Sequence, residues 1–405
     1  MKKPELLSPA GTQASLIAAI ESGADSVYFG IKGFNMRHNA GNFDILELHK
    51  VMDYLHGKGR KGYLTLNIIV LDNQICKIRK ILKAAKEAGV DAIILWDASV
   101  LDMAKEMGFR IHLSTQASVS NSEAVKFWAK LGVHRIILAR ECKLDDIRHI
   151  IEYIRLNNIN CEIETFIHGA MCVSISGRCF LSLYSFNKSA NQGKCLQPCR
   201  REFLIRDMDA ETEYIIGHDY ILSPKDLCTI EFIDKLIEVG ISSFKIEGRM
   251  RSPEYIKATT AVYRQAIDAY YEGRLDDKLK ASLKDRLATV YNRGFSEGFF
   301  FGLSDKWRSD GLAHTYEKVF VGEVTRFFKK IGVAEVKIRN LEIAVGENII
   351  IIGKKTVSDV IKVEQMQQNH KFIKKAVRGE VVGIKLPIEV RPKDKIFFWR
   401  EKYNF

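Results

Sequence analysis

The feature that most constrains the fold is an alternation that runs through residues 5–249. Short β-rich runs, each ending in small or polar residues, are followed by helix-like stretches. ELLSPAG, DSVYFG, GYLTLN, DAIILW, FRIHLST, HRIILAR, EIETFIHG and SFKIEGR make eight such runs. Segments between them, such as ILELHKVMDYLHGKG and LDDIRHIIEYIRL, carry apolar residues at helical spacing. Strands and helices alternating in this way form parallel βα units, and eight of them predict a closed TIM-like β/α barrel. An open doubly wound sheet is the competitor, but no Gly-rich dinucleotide turn follows the first strand. The barrel is expected over residues 1–272, with a cysteine-rich insertion at about 170–227 after strand seven. A helical connector over 273–317 follows, and residues 318–405 read as a small C-terminal β-barrel. That last stretch is built of runs such as KVFVGEVTRFF, VAEVKIRN and DKIFFWR, punctuated by Gly, Asn and Pro.

In a parallel barrel the functional groups stand at the C-terminal ends of the strands. Arg37, Arg140, His168 and Arg249 lie at or just beyond such ends. The seventh connection is far longer than the rest and holds CVSISGRC and CLQPC, hence Cys172, Cys179, Cys195 and Cys199. Cys228 follows in SPKDLC, while Cys76, Cys142 and Cys161 sit in ordinary helix or strand patterns as structural thiols. The start MKKPELLSPAG lacks the apolar centre of a secretory signal, and no apolar run approaches the length of a membrane span. A cytoplasmic address and no membrane partner are the expectation, and reduced clustered thiols there point to metal binding or catalysis. Four soft ligands on loops suit zinc or an iron–sulfur cluster, and the spacing leaves these two metals level. Cys172, Cys179 and Cys195 form the core of that set, with Cys199 as the fourth ligand and Cys228 as its alternative. For hydrolysis there is neither a His-Glu-x-x-His helix nor a Gly-x-Ser-x-Gly elbow, which leaves a Cys–His dyad of Cys172 with His168.

The net charge is +12, and it is concentrated at the end of the chain. From Tyr316 onward there are 19 Lys and Arg residues against 11 Asp and Glu. A basic surplus on a small terminal module points to a polyanion partner, nucleic acid being the commonest, with a solvated charged face as the plain alternative.

ETFIHGAMCVSISGRCFLS, NQGKCLQPC, SPKDL and FKIEGRMRSPEY, together with FNMRHNAGNF and HLSTQASVSN, resemble the signature of the collagenase-like peptidase family U32 over nearly the whole chain. Several members of that family act as oxygen-independent hydroxylases carrying a 4Fe-4S cluster, and the chain's size and appended β-barrel resemble the prephenate-dependent tRNA hydroxylase branch. The resemblance therefore implies an RNA-modifying enzyme that forms 5-hydroxyuridine at the tRNA wobble position, with prephenate as co-substrate and tRNA as partner. It implies cluster ligation by Cys172, Cys179, Cys195 and either Cys199 or Cys228. Guanidinium forks suit prephenate's two carboxylates, and Arg37, Arg140, Arg178 and Arg249 are the candidates, structural ion pairs being their other use. His168 and Glu164 flank the cysteine motif and are candidates to move protons. Two alternatives stand beside this expectation: a peptidase, as the family label says, and a non-catalytic RNA-binding subunit paired with a homologous chain or with a second copy.

Overall fold

The computed structural model describes residues 2–201, 203–206, 213–216, 220–302, 308–309 and 311–402. All eight β-rich runs form strands: β1 (Glu5–Ala10), β2 (Ser26–Gly30), β3 (Lys61–Leu66), β4 (Ala92–Leu95), β5 (Arg110–Leu113), β6 (Arg135–Ile137), β7 (Glu162–Gly169) and β8 (Ser243–Ile246). Each pairs in parallel with the next, and β8 closes the ring by pairing with both β7 and β1. The strands are buried along almost their whole length. Helices cover one face and the barrel interior the other, so the runs read as continuous apolar blocks. The helices are α1 (Gln13–Glu21), α2 (Leu48–His56), α3 (Ile75–Glu87), α4 (Ala98–Glu106), α5 (Ser122–Lys130), α6 (Leu144–Leu156), α7 (Ile233–Val239) and α8 (Pro253–Tyr271). Some polar residues at strand ends serve these helices and not the mouth. Thr12 caps α1 and Asp97 caps α4, each accepting hydrogen bonds from backbone N–H groups of the first turn.

The long seventh connection folds over the barrel mouth as four short helical segments, Ile175–Gly177, Leu181–Phe186, Ala190–Gln192 and Pro198–Arg200. Backbone bonds tie it down: His38 N–H donates to the Gly193 carbonyl at 3.0 Å and Ile69 N–H to Asn191 at 3.1 Å. Arg200 reaches back to the Met171 carbonyl at 2.5 Å and to Ser223 Oγ at 2.9 Å. The chain then returns through Asp226–Cys228, which runs antiparallel to the end of β7, and enters α7.

Beyond α8, a helix over Asp277–Ala288 leads to the terminal module, an eight-stranded antiparallel sheet curled around its own apolar core. The long strand Tyr316–Phe328 lies between Val333–Ile338 and Lys395–Glu401. Short strands such as Lys371–Ile373 are added beyond the runs that alternation marks, because two or three residues are too few to show a period. No helix among the described residues is long and apolar enough to cross a membrane.

Candidate active site at the barrel mouth

Side chains alternate across a strand, so SFKIEGR sends Lys245, Glu247 and Arg249 to one face. That face is the inside of the barrel. All three line a cavity of about 150 Å³ between the strand ends and the insertion. Arg37, Arg140 and Arg200 complete the charged lining, and Glu247 is the one carboxylate among the lining residues. Glu247 is the hub. Arg37 donates to Glu247 Oε1 through Nε at 3.0 Å and through a terminal nitrogen at 2.9 Å. Tyr28 Oη donates to the Ile246 carbonyl at 2.8 Å and to Glu247 Oε2 at 3.3 Å. Burial alone would push the Glu247 carboxyl up, yet Arg37, Arg140 and Arg249 hold it down at about 2. Arg249 is 4% exposed and donates to Asn35 Oδ1 at 3.0 Å and to Thr65 Oγ1 at 2.8 Å, while its Nε is buried without a partner. Burial brings its pKa down to about 10. Arg140 packs over the Phe166 ring at 4.1 Å and donates to the Ala170 carbonyl at 2.6 Å. Among the described residues, five cations and one carboxylate line the cavity, a surplus of positive charge that is the condition for holding an anion.

The insertion supplies the thiols. Cys172, Cys179, Cys195 and Cys199 all line this same cavity, half-buried and free. Burial pushes the Cys199 thiol up, and the negative charge of the other three adds to the rise, while Arg200 opposes it. Cys172 Sγ is 3.0 Å from Ser174 Oγ, and Cys172 lines the cavity together with Arg37, Arg140 and Arg200. The donors suit a soft metal by chemistry, being four sulfurs on one wall. Among the described residues, however, no three His, Cys, Asp or Glu side chains stand close enough together to share an ion.

The other expected residues lie elsewhere. Arg178 is outside the cavity lining, held by Ser118 Oγ at 2.7 Å and against the Trp96 ring. Cys228 is buried beside Tyr263 and Glu164 is fully buried below the mouth, bonded to Lys245 at 2.9 Å and Arg135 at 3.2 Å. His168 does not face Cys172. The register between β7 and β8 slips after Lys245, which pairs with Phe166, so that Ile246 pairs with His168. This bulge turns the imidazole outward among Tyr255, Tyr263 and Phe295, where burial and then Arg251 bring its pKa down to about 3. The Cys172–His168 dyad is therefore not formed. Lys245, Tyr28 and Arg200 were not among the expected site residues. The strict alternation K-I-E-G-R after Phe244 is the signal that could have found Lys245.

The model for peptidase family U32 matches residues 11–309. A protein from Porphyromonas gingivalis named collagenase is 41% identical over 97% of this chain and 97% of its own length. A Methanocaldococcus jannaschii protein named uncharacterized protease is 44% identical over 98% of both. A Bacillus subtilis tRNA hydroxylation protein is 38% identical but covers 74% of this chain and 72% of its own. These findings overturn the expected prephenate-dependent tRNA hydroxylase. Relatives that match along the whole chain carry protease names, and no metal-sharing group is found among the described residues. What stands is the wider assignment that the resemblance made: the chain belongs to peptidase family U32.

Proposed function

We propose that this protein is a peptidase of the U32 type whose chemistry takes place at the thiol- and arginine-lined barrel mouth. The observation that carries this is the meeting of Cys172 with Arg37, Arg140 and Arg200 in one cavity, in a chain whose full-length relatives carry protease names. The sulfur is the strongest nucleophile that a side chain brings to this cavity. Arg249, with its unpartnered Nε, and Arg140 engage an acidic group of the peptide and set the scissile bond against the Cys172 sulfur. The insertion covers the mouth and excludes water from the sulfur and the guanidinium groups, which strengthens charge interactions there.

As the alternative to a nucleophilic Cys172, the four thiols are proposed as the seat of a soft metal, zinc or a 4Fe-4S cluster, with Cys199 and not Cys228 as the fourth donor. A second proposal concerns the partner. Phe372, 70% exposed on an edge strand of the terminal module, lies in a basic stretch of the sequence with Lys371, Lys374 and Arg378, a composition suited to a polyanion such as tRNA. A small carboxylate such as prephenate and pairing with a second or homologous copy belong to the same set of proposals.

The test is cleavage of denatured collagen and of acidic peptides by purified full-length protein, handled without air and followed by mass spectrometry of the products. Cleavage that Cys172→Ala abolishes supports the proposal. No cleavage by the native protein, or cleavage that persists in Cys172→Ala, sinks it.

A further inference from the structure

Peptide cleavage at Cys172 leaves one reactive group of the mouth unused. Lys245 lies on β8, is 4% exposed and lines the cavity. Its Nζ is 2.9 Å from Glu164 Oε1 and 4.5 Å from the centre of the Tyr28 ring. Glu164 is shared between two cations, its other oxygen accepting from Arg135 at 3.2 Å. Arg135 in turn is gripped by Glu5 at 2.8 Å and Glu162 at 2.6 Å, so this second cation is fixed in place. Glu164 thus stands between the Lys245 ammonium on one oxygen and Arg135 on the other. Burial favours the uncharged amine and Glu164 opposes it. Two further positions along the same face stands Glu247, then Arg249, which carries the unpartnered Nε. A nucleophilic amine at the floor and guanidinium groups above it match the two ends of a small carbonyl acid.

We propose that Lys245 forms an imine with a small 2-oxo carboxylic acid whose carboxylate is held by Arg249 and Arg140, which line the same cavity. Glu164 takes a proton from the Lys245 ammonium, and the freed amine attacks the carbonyl carbon while a second proton passes from that nitrogen to the carbonyl oxygen, giving a carbinolamine. A C–N bond forms and the C=O bond becomes a C–O single bond. The hydroxyl then takes the proton back from Glu164 and leaves as water, giving the protonated imine. Condensation and loss of one water balance the step, with no oxidant or reductant consumed. The inference rests on the mouth being an anion-binding reaction site and is independent of peptide cleavage.

Full-length protein is incubated with pyruvate and sodium cyanoborohydride, and the adducts are mapped by peptide mass spectrometry. The dominant adduct is expected at Lys245, and it disappears in Lys245→Arg, whose guanidinium keeps the charge but does not condense. Glu164→Gln slows trapping by about a hundredfold, the low end of what proton transfer contributes. Arg249→Met raises the half-saturating pyruvate concentration about tenfold, the loss of one charge-assisted contact. An unmodified Lys245 with adducts only on surface lysines overturns the inference, and the native map alone decides this even where a variant fails to fold. Peptide cleavage without a Lys245 adduct also overturns it while leaving the peptidase proposal in place. The adduct in a protein that cleaves no peptide supports it and removes the peptidase proposal.

Discussion

Glu247→Gln is the most informative single change in the mouth. The carboxylate accepts two bonds from Arg37 and is surrounded by Arg140 and Arg249, and it is held at about 2 against an ordinary value of 4.5. Its side chain is only 11% exposed, so little of the effect is screened by solvent. That depression corresponds to roughly 3 kcal/mol of stability at neutral pH contributed by the ionised form. The folded pKa lies below the unfolded one, so this stability is fully present above about pH 4.5 and is lost as pH falls toward 2. The glutamine cannot ionise and leaves the guanidinium groups without their counter-charge. In low-salt buffer at pH 7, the variant should lose on the order of 3 kcal/mol, read from denaturant unfolding and from faster hydrogen exchange in β8. Its stability should also lose the acid-limb slope that the native protein shows between pH 4.5 and 2. Acetate or oxalate should restore part of the loss, because an added anion takes the vacated place. A variant as stable as the native protein, with the same acid limb and no response to anions, would refute the account of Glu247 as the hub of the cation cluster.

Other expectations test the surrounding frame. His168→Phe should flatten the stability profile between pH 6.5 and 3, since the buried imidazole is neutral in the fold and its protonation in the unfolded chain is what costs stability over that window; peptide cleavage should be retained, and acid titrations of unfolding check the first point. Gly169→Ala places a methyl group against the Glu247 carbonyl at a φ of +104°, and should destabilise by about 1–3 kcal/mol in thermal or denaturant unfolding. Arg135→Met strands Glu5, Glu162 and Glu164 around an apolar side chain, with about 3–5 kcal/mol lost in the same assay. Metal analysis of protein purified without air should find zinc or iron that falls when Cys195→Ser is made and is unchanged in Cys228→Ser, because Cys228 lies outside the cavity.

The barrel was legible from composition along the strands. Most of the eight runs are rich in apolar residues on both faces because both faces are covered, and this property is local enough to read residue by residue, while SFKIEGR instead turns Lys245, Glu247 and Arg249 inward. The clustering of Cys172, Cys179, Cys195 and Cys199 was likewise visible, because one inserted segment holds them all. The reaction was not. The resemblance named the right family and pointed to the wrong branch within it, since members of one family share a signature that does not by itself fix their chemistry.

Sequence alone determined the eight βα units, the basic terminal module and the cysteine-bearing loop, because periodicity, charge and spacing are properties of neighbouring residues. Only the tertiary structure decided which groups meet. The slip in register between β7 and β8 turned His168 away from the mouth, although simple alternation from Glu164 and Phe166 would have pointed it inward. Closure of the ring brought Arg37 onto Glu247 across 210 residues, and Lys245 onto Glu164 across 81. Such pairings depend on how strands from distant parts of the chain are set against one another, which no local pattern records.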